Sequence, residues 1–243
     1  QELPPERHNA FSRRLGELEH FVDSKDQLQG HPELLRVSNI DQEDDSIKDV
    51  EEPGHKSFTL GTSTWHSDSS YKEIPSKASL LYGIEIPAEG GETEFADTAA
   101  AYAALSDDEK AEIDDLTVIH DFEETRRWNG LPPRPLEVRL AVPAVEHPLV
   151  LQRENGDRCL FLGQHASYVL GKPYVESHAF LEKMVTYATQ PQFVYHHAWS
   201  AGDLVLFDNL AMLHRAMPYR LAEDRRLLHR TTVAGVGAPS VAS

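Results

Sequence analysis

The chain has 243 residues, enough for one large domain or two small ones, and its formal net charge is −17. Such an acidic balance argues against nucleic acid and anionic membranes as partners, because both are polyanions that proteins bind mainly through Lys and Arg. Cys159 is the only cysteine, so no internal disulfide can form. No apolar run approaches the ~18 residues of a membrane span and no leader pattern opens the chain, so we expect a cytoplasmic protein.

The first part of the chain predicts a helix, a strand and an acidic loop. Pro5 stands at a first-turn position, and an amphipathic helix is predicted by residues at helical spacing, namely His8, Phe11, Leu15, Leu18 and Phe21. Residues 34–37 predict a short strand. Residues 41–52 are acidic and poor in apolar side chains, which predicts a surface loop that flanks or covers a site.

The middle of the chain alternates strands and helices. Strands are predicted over residues 78–86 and 93–97, each rich in strand-forming residues. A helix is predicted from Thr98. A second helix is predicted at Ser106, because Glu109 three residues later completes a capping-box pattern.

The next segment contains a predicted loop, a hairpin and a helix. Residues 128–143 carry prolines and arginines with little periodicity, which predicts a long loop of the kind that often serves as a lid or binding segment. Asn155-Gly156 between the apolar runs 148–151 and 159–162 predicts a β-hairpin. One helical face is then formed by Phe180, Leu181, Met184, Tyr187 and Ala188.

The last part of the chain returns to strands, predicted over residues 193–199, 203–207 and 227–233. Many short strands with a few inserted helices predict a mainly β fold with added helices, of the sandwich or jelly-roll type. No repeat and no domain-scale linker interrupts the pattern. We therefore expect a single catalytic domain over residues 1–243.

A candidate metal site begins with Trp65-His66-Ser67-Asp68. On an extended strand, His66 and Asp68 point the same way because side chains alternate with period two. With 13 histidines and 40 acidic residues, this spacing is expected about twice by chance, and it recurs at His31-Pro32-Glu33. A hydrogen-bonded histidine near a strand end is the alternative interpretation of His66.

His214 on a mostly apolar strand would complete the two-histidine, one-carboxylate set that holds non-haem Fe(II) and leaves positions open. A core histidine with satisfied hydrogen bonds is its alternative. Arg226 and Arg230 stand at even spacing, so both face one side of a strand. An inward-facing pair requires anions, such as a dicarboxylate cosubstrate and an acidic substrate, whereas surface salt bridging is the other interpretation.

Four ordered blocks resemble the taurine and 2,4-dichlorophenoxyacetate dioxygenase family of Fe(II)- and 2-oxoglutarate-dependent oxygenases. The blocks are residues 65–70, residues 90–97, the run from Gly202-Asp203 through Asp208-Asn209 to His214, and residues 225–232. The resemblance extends from Phe11 nearly to Val233. It is nearer the herbicide-degrading branch at residues 165–167 and 193–195.

The resemblance implies a double-stranded β-helix, or jelly roll, with helices packed outside. It implies that His66, Asp68 and His214 bind Fe(II), and that 2-oxoglutarate and O2 are cosubstrates. Thr93 and Arg226 would then bind the distal carboxylate of 2-oxoglutarate, a role that suits a planar guanidinium. The implied reaction oxidises a C–H bond of a small or medium anionic substrate, with release of succinate and CO2.

The substrate side is implied less directly. Arg230 would meet an anionic group of the substrate, and Thr62 occupies a substrate-side position that is often Asn in the family. The interval from His214 to the arginine pair is one residue longer than usual, which leaves Arg225 as an alternative to Arg226. Relatives also begin with a further segment before the first helix, so we expect that native N-terminal residues are missing here.

Two functions from other classes remain as alternatives. A non-catalytic jelly-roll module that senses a small acid or a metal would form no succinate. A Zn(II) hydrolase would use the same three ligands with one bound water. The Gly90-Gly91-Glu92-Thr93 block favours the oxygenase, and a homo-oligomer is compatible with all three.

Overall fold

The computed structural model describes residues 2–21, 25–153, 155–237 and 239, and the fold is mainly β with several helices. The helices are α1 (Pro5–Ser12), α2 (Pro53–Ser63), α3 (Thr98–Ala103), α4 (Asp107–Ile113), α5 (Glu124–Trp128), α6 (Leu136–Ala141) and α7 (Tyr174–Ala188). The strands are β1 (Gln27–Leu28), β2 (His31–Ser38), β3 (Ala78–Glu85), β4 (Thr93–Asp97), β5 (Thr117–His120), β6 (Val145–Pro148), β7 (Val150–Gln152), β8 (Arg158–Leu160), β9 (Ala166–Val169), β10 (Val194–His197), β11 (Leu204–Asp208), β12 (Met212–Ala216) and β13 (Leu227–Val233).

Two antiparallel sheets carry the functional residues. The larger has the order β1-β2-β13-β3-β11, and the smaller has the order β10-β4-β12. In the smaller sheet His214 pairs with Phe95, and in the larger sheet Arg230 pairs with Leu81. The rings of Phe95 and Phe207, one from each sheet, lie 5.0 Å apart at their centroids. The space between the two sheets is therefore filled by apolar side chains around the residues of interest.

A second, larger core includes Ala96 and Leu213 of the smaller sheet. It is built from β5, β8, β9 and the helices α3 and α7, and Leu181, Met184 and Ala188 bury the predicted apolar face of α7. The capping box at Ser106 is present, and the hairpin around Asn155-Gly156 joins β7 to β8. None of the described helices is long and apolar enough to cross a bilayer.

The predicted N-terminal helix is too long. α1 ends at Ser12, and the chain instead turns so that Leu18 pairs with Val233 at the end of β13. Gly16 permits this turn with φ of +150°, and an added Cβ there would lie 2.9 Å from a Val233 methyl group. Helical spacing after Ser12 therefore reflects packing of an extended segment.

The predicted loop over residues 128–143 is also only partly correct. α5 ends at Trp128, and α6 occupies Leu136–Ala141 directly after Pro135. A proline before a short run of good helix formers explains this helix, which is too short to show helical periodicity in the sequence.

Candidate active site

Three side chains converge on one point between the two sheets. His66, Asp68 and His214 are all buried, and one potential ligand atom of each lies within 4.8 Å of the others. The Nε2 atoms of His66 and His214 each lie 4.0 Å from an oxygen of Asp68. We call these three residues the metal end of the site.

The backbone brings the two histidines together. His66 and His214 form an isolated antiparallel bridge, in which each N–H donates to the other residue's carbonyl at 3.1 and 2.8 Å. The prediction of a continuous strand through residues 65–68 is wrong, because Asp68 starts a turn in which Ser69 has φ of +57°. The turn nevertheless directs the Asp68 carboxylate to the same point as the imidazoles.

The His66 ring is oriented for metal binding, and both imidazoles are neutral. The Nδ1 atom of His66 lies 2.8 Å from the carbonyl oxygen of Thr64, an acceptor, so this nitrogen carries the proton and Nε2 is left as the ligand. Burial lowers the pKa of His66, and it lowers the pKa of His214 well below its ordinary value. Both imidazoles are therefore neutral near pH 7, which is the state that binds a metal.

Asp68 is held as a carboxylate. Burial opposes its ionisation, but the charge of Arg230 and a hydrogen bond from Ser79 outweigh burial and lower its pKa. Arg230 Nη1 donates to Oδ1 at 2.7 Å, and Ser79 Oγ donates to Oδ2 at 2.8 Å. Each oxygen keeps a lone pair for another partner.

This donor set fits a divalent first-row metal. Two neutral imidazole nitrogens and one carboxylate oxygen on one side of a point form the facial arrangement of non-haem Fe(II) sites. It leaves room for other ligands on the opposite side.

The second end of the site is formed by Arg226 and Thr93, which we call the cosubstrate end. Arg226 is 4% exposed, and its Nε donates to the Gly91 carbonyl at 2.9 Å. None of the described residues forms a salt bridge with it, and burial lowers its pKa to about 10, so it remains charged at neutral pH. Thr93 Oγ1 accepts a hydrogen bond from Trp199 Nε1 at 2.9 Å, which leaves the hydroxyl proton free to donate.

Arg225 lies outside this pocket. Its guanidinium pairs with Glu85 and Asp45, and hydrogen bonds to these carboxylates raise its pKa. The neighbouring residue Arg226 instead faces the cavity that contains His66 and His214. Of the two arginines, only Arg226 is therefore available to an anion beside the metal end.

The predicted substrate-side residues line the same cavity. Thr62, Arg226 and Arg230 all contribute to its wall. Thr62 and Arg226 also border an adjoining, largely apolar chamber of about 240 Å³, formed mainly by α2 and by the segment after β12. The structure thus brings all seven predicted site residues together.

Phe207 and Leu210, two apolar residues in the run that leads to His214, have different surroundings. The ring of Phe207 packs on His214, with centroids 4.6 Å apart, and so backs the metal end. Leu210 lies in a different surface depression with Leu151 and Asp208. Of the two, only Phe207 therefore contacts the metal end.

Sequence reasoning missed three polar residues that hold the site. Ser79 binds the Asp68 carboxylate, Asn209 binds the Asp68 backbone, and Asn39 binds the Arg226 backbone. The position of Asn209 inside the block that ends at His214 was the only available signal. Ser79 and Asn39 come from strand regions with no motif.

The comparisons with known proteins agree with this geometry. The profile of the family described as "Taurine catabolism dioxygenase TauD, TfdA family" matches residues 1–232. The chain belongs to this family. A 2,4-dichlorophenoxyacetate dioxygenase dependent on alpha-ketoglutarate, from Burkholderia sp. strain RASC, is 34% identical over 237 residues, which are 96% of this chain and 79% of the relative.

Two further family relatives are similar over nearly the whole chain. The (S)-phenoxypropionate/alpha-ketoglutarate-dioxygenase of Sphingobium herbicidovorans is 30% identical over 249 residues, covering 100% of this chain and 82% of the relative. The crystal structure of AAD-2 in complex with Mn(II) and N-oxalylglycine superposes with a TM-score of 0.90 at 35% identity, covering 99% of this chain and 83% of that one.

Proposed function

We propose that the protein is an Fe(II)- and 2-oxoglutarate-dependent dioxygenase that hydroxylates, or otherwise oxidises at a C–H bond, a small to medium anionic substrate. Succinate and CO2 are the accompanying products. One observation carries the proposal: a buried set of two histidines and one carboxylate faces a cavity in which a buried guanidinium lacks a carboxylate partner among the described residues.

His66, Asp68 and His214 would hold the iron, which when bound couples oxidative decarboxylation of 2-oxoglutarate to activation of O2 for attack on the substrate. Arg226 and Thr93 would bind the far carboxylate of 2-oxoglutarate. This assignment is supported by the cost of a buried, unpaired guanidinium, which is several kcal/mol and is relieved by an anion. A planar guanidinium and a hydroxyl proton together offer three donors to one carboxylate.

Arg230 and Thr62 would orient the substrate. Arg230 Nη1 is bonded to Asp68, but its buried Nε has no hydrogen-bond partner among the described residues, so the guanidinium has a donor left for a substrate anion. The apolar chamber bordered by Thr62 suits an apolar portion of that substrate. The phenoxy acids named for the relatives fit this combination, and we propose a carboxylate of similar polarity.

The two main sheets are proposed to form one double-stranded β-helix, and the whole chain one catalytic domain. Antiparallel pairing throughout and the shared core around Phe95 and Phe207 support this. The same packing excludes water from the site. Ionic contacts inside the site are stronger as a result, because the local dielectric constant is low.

The test is an anaerobic titration of the protein with Fe(II) and 2-oxoglutarate, followed by a succinate assay in air with candidate phenoxy acids. We expect a visible charge-transfer band that His66→Ala abolishes, and succinate formation that a true substrate increases. No band and no succinate would instead indicate a sensor, and hydrolysis supported by Zn(II) alone would indicate a hydrolase.

A further inference from the structure

Asp68 and Arg226, on which the site depends most, both lie just outside regularly paired strands. Asp68 follows the isolated bridge at His66 and sits in a turn. Arg226 directly precedes β13, where the register of β13 against β3 shifts between Leu227 and Leu228. Among the described residues, the Asp68 backbone has no hydrogen bond to a neighbouring strand, and the Arg226 carbonyl accepts one long backbone bond, from the Asn39 N–H at 3.3 Å.

A fully buried asparagine holds the first of them. The Asn209 side-chain oxygen accepts from the Asp68 N–H at 2.7 Å, and its amide nitrogen donates to the carbonyls of Asp68 and Ser76, both at 2.8 Å. Ser67 Oγ donates to the Asn209 carbonyl at 2.6 Å. Asn209 thus links the turn that carries Asp68 to the segment leading to His214.

A second buried asparagine holds the other in the same way. The Asn39 side-chain oxygen accepts from the Arg226 N–H at 2.9 Å, and its amide nitrogen donates to the carbonyls of Leu221 and Asp224, both at 2.8 Å. Ser38 Oγ donates to the Arg226 carbonyl at 2.9 Å. Each asparagine side chain thus accepts one hydrogen bond and donates two where regular strand pairing ends, and a serine hydroxyl adds one more.

We propose that Asn209 and Asn39 are positioning residues that act separately, Asn209 on metal affinity through Asp68 and Asn39 on cosubstrate affinity through Arg226. This inference rests on the proposed function. The two asparagine side chains bind different backbone segments and share no hydrogen-bond partner, so the effects of replacing them are separable.

The experiment measures two dissociation constants in the full chain: that of Mn(II) for the metal-free protein, and that of 2-oxoglutarate for the Mn(II)-saturated protein. Asn209→Ala should raise the Mn(II) constant about 10- to 100-fold, as loss of an outer-shell partner does, and leave the 2-oxoglutarate constant within about twofold. Asn39→Ala should do the reverse, raising the 2-oxoglutarate constant about tenfold and leaving the Mn(II) constant within about twofold.

Milder variants keep the test valid if an alanine variant fails to fold. Ser67→Ala and Ser38→Ala remove only the accompanying hydroxyl, and each should shift the same constant as its asparagine by a smaller factor. Asn9→Ala is the matched control, because Asn9 is a buried asparagine bonded to Glu33 away from the site. It should leave both constants unchanged.

The possible outcomes distinguish a failure of this inference from a failure of the proposed function. Opposite selectivity of the two variant pairs supports the inference. Equal shifts of both constants in every variant, or wild-type constants in Asn209→Ala and Asn39→Ala, would overturn it while the site itself stands. A wild-type protein that binds neither Mn(II) nor 2-oxoglutarate would overturn the proposed function, and the inference with it.

Discussion

The metal end and the cosubstrate end of the site differ in how their charges are balanced. At the metal end, the Asp68 carboxylate already has a cation, Arg230, and a hydroxyl donor, Ser79. At the cosubstrate end, the buried Arg226 has a carbonyl partner but no carboxylate among the described residues. The protein can therefore form the metal end by itself, whereas the cosubstrate end is complete only when an anion enters.

The largest expected effect comes from removing a metal ligand. His66→Ala leaves one imidazole and one carboxylate, so Mn(II) affinity should fall by more than the ~100-fold that loss of an outer-shell partner causes. Titration of the metal-free protein measures it. His31→Ala is a matched control, because His31 stands in the other His-x-acidic motif but contacts Glu6 on the surface. Equal losses in both variants would contradict the assignment of the metal end.

The next effect concerns the two adjacent arginines. Arg226→Ala should raise the dissociation constant of 2-oxoglutarate at least about 30-fold, because truncating one partner of a buried charge pair costs about 2–5 kcal/mol. Arg225→Ala should change it less than about fivefold, since Arg225 is paired with Glu85 and Asp45 outside the pocket. Calorimetry on the Mn(II)-loaded protein decides between them, and the opposite ranking would assign the cosubstrate to Arg225.

A smaller effect concerns the packing of α1 against β13, the strand that follows Arg226 and contains Arg230. His8 on α1 packs against β13 beside Thr231, and burial, followed by the charge of His229, lowers its pKa from 6.5 to about 4. A neutral His8 stabilises the fold above pH 6.5, and this contribution is lost as the pH falls toward 4 because the unfolded chain binds the proton more tightly.

At about 1.4 kcal/mol per pKa unit, the loss is at most about 3 kcal/mol. Urea unfolding of the metal-free protein between pH 7 and 4 measures it. His8→Gln, which cannot titrate, should reduce the pH dependence in this window. An unchanged slope would show that His8 does not contribute.

The smallest effect is expected at Thr93. Thr93→Val removes the hydroxyl that accepts from Trp199 and donates to the proposed carboxylate, so the KM for 2-oxoglutarate should rise about fivefold, the equivalent of one hydrogen bond near 1 kcal/mol. Thr93→Ser keeps the hydroxyl and should stay close to wild type. Equal KM values in all three proteins would remove Thr93 from the cosubstrate end.

Much of the fold was predictable because its signals are local. The strand-forming residues of β3, β4 and β13, the capping box at Ser106 and the turn at Asn155-Gly156 are each signals from neighbouring residues. The structure of the N-terminal segment was not predictable, because apolar residues at helical spacing also suit the segment that pairs Leu18 with the distant Val233. Its end is decided by a tertiary contact that spacing does not encode.

The residues of the site also divide into those that have a signal in the sequence and those that have none. Motif spacing and the family resemblance gave seven candidate residues that the structure brings together, with Arg226 for the cosubstrate and Arg225 as the alternative. The supporting residues Asn39, Ser79 and Asn209 were not predicted, because a buried asparagine or serine is recognised only by the backbone groups that it binds. Those groups lie up to 187 residues away in the chain, as between Asn39 and Arg226.

The most direct test of the account is a crystal structure of the protein grown without oxygen in the presence of Mn(II) and 2-oxoglutarate. The account predicts one anomalous peak coordinated by His66, Asp68 and His214, with the far carboxylate of 2-oxoglutarate on Arg226 and Thr93. A peak elsewhere, or a carboxylate bound by Arg225 while Arg226 stays unpaired, would contradict it.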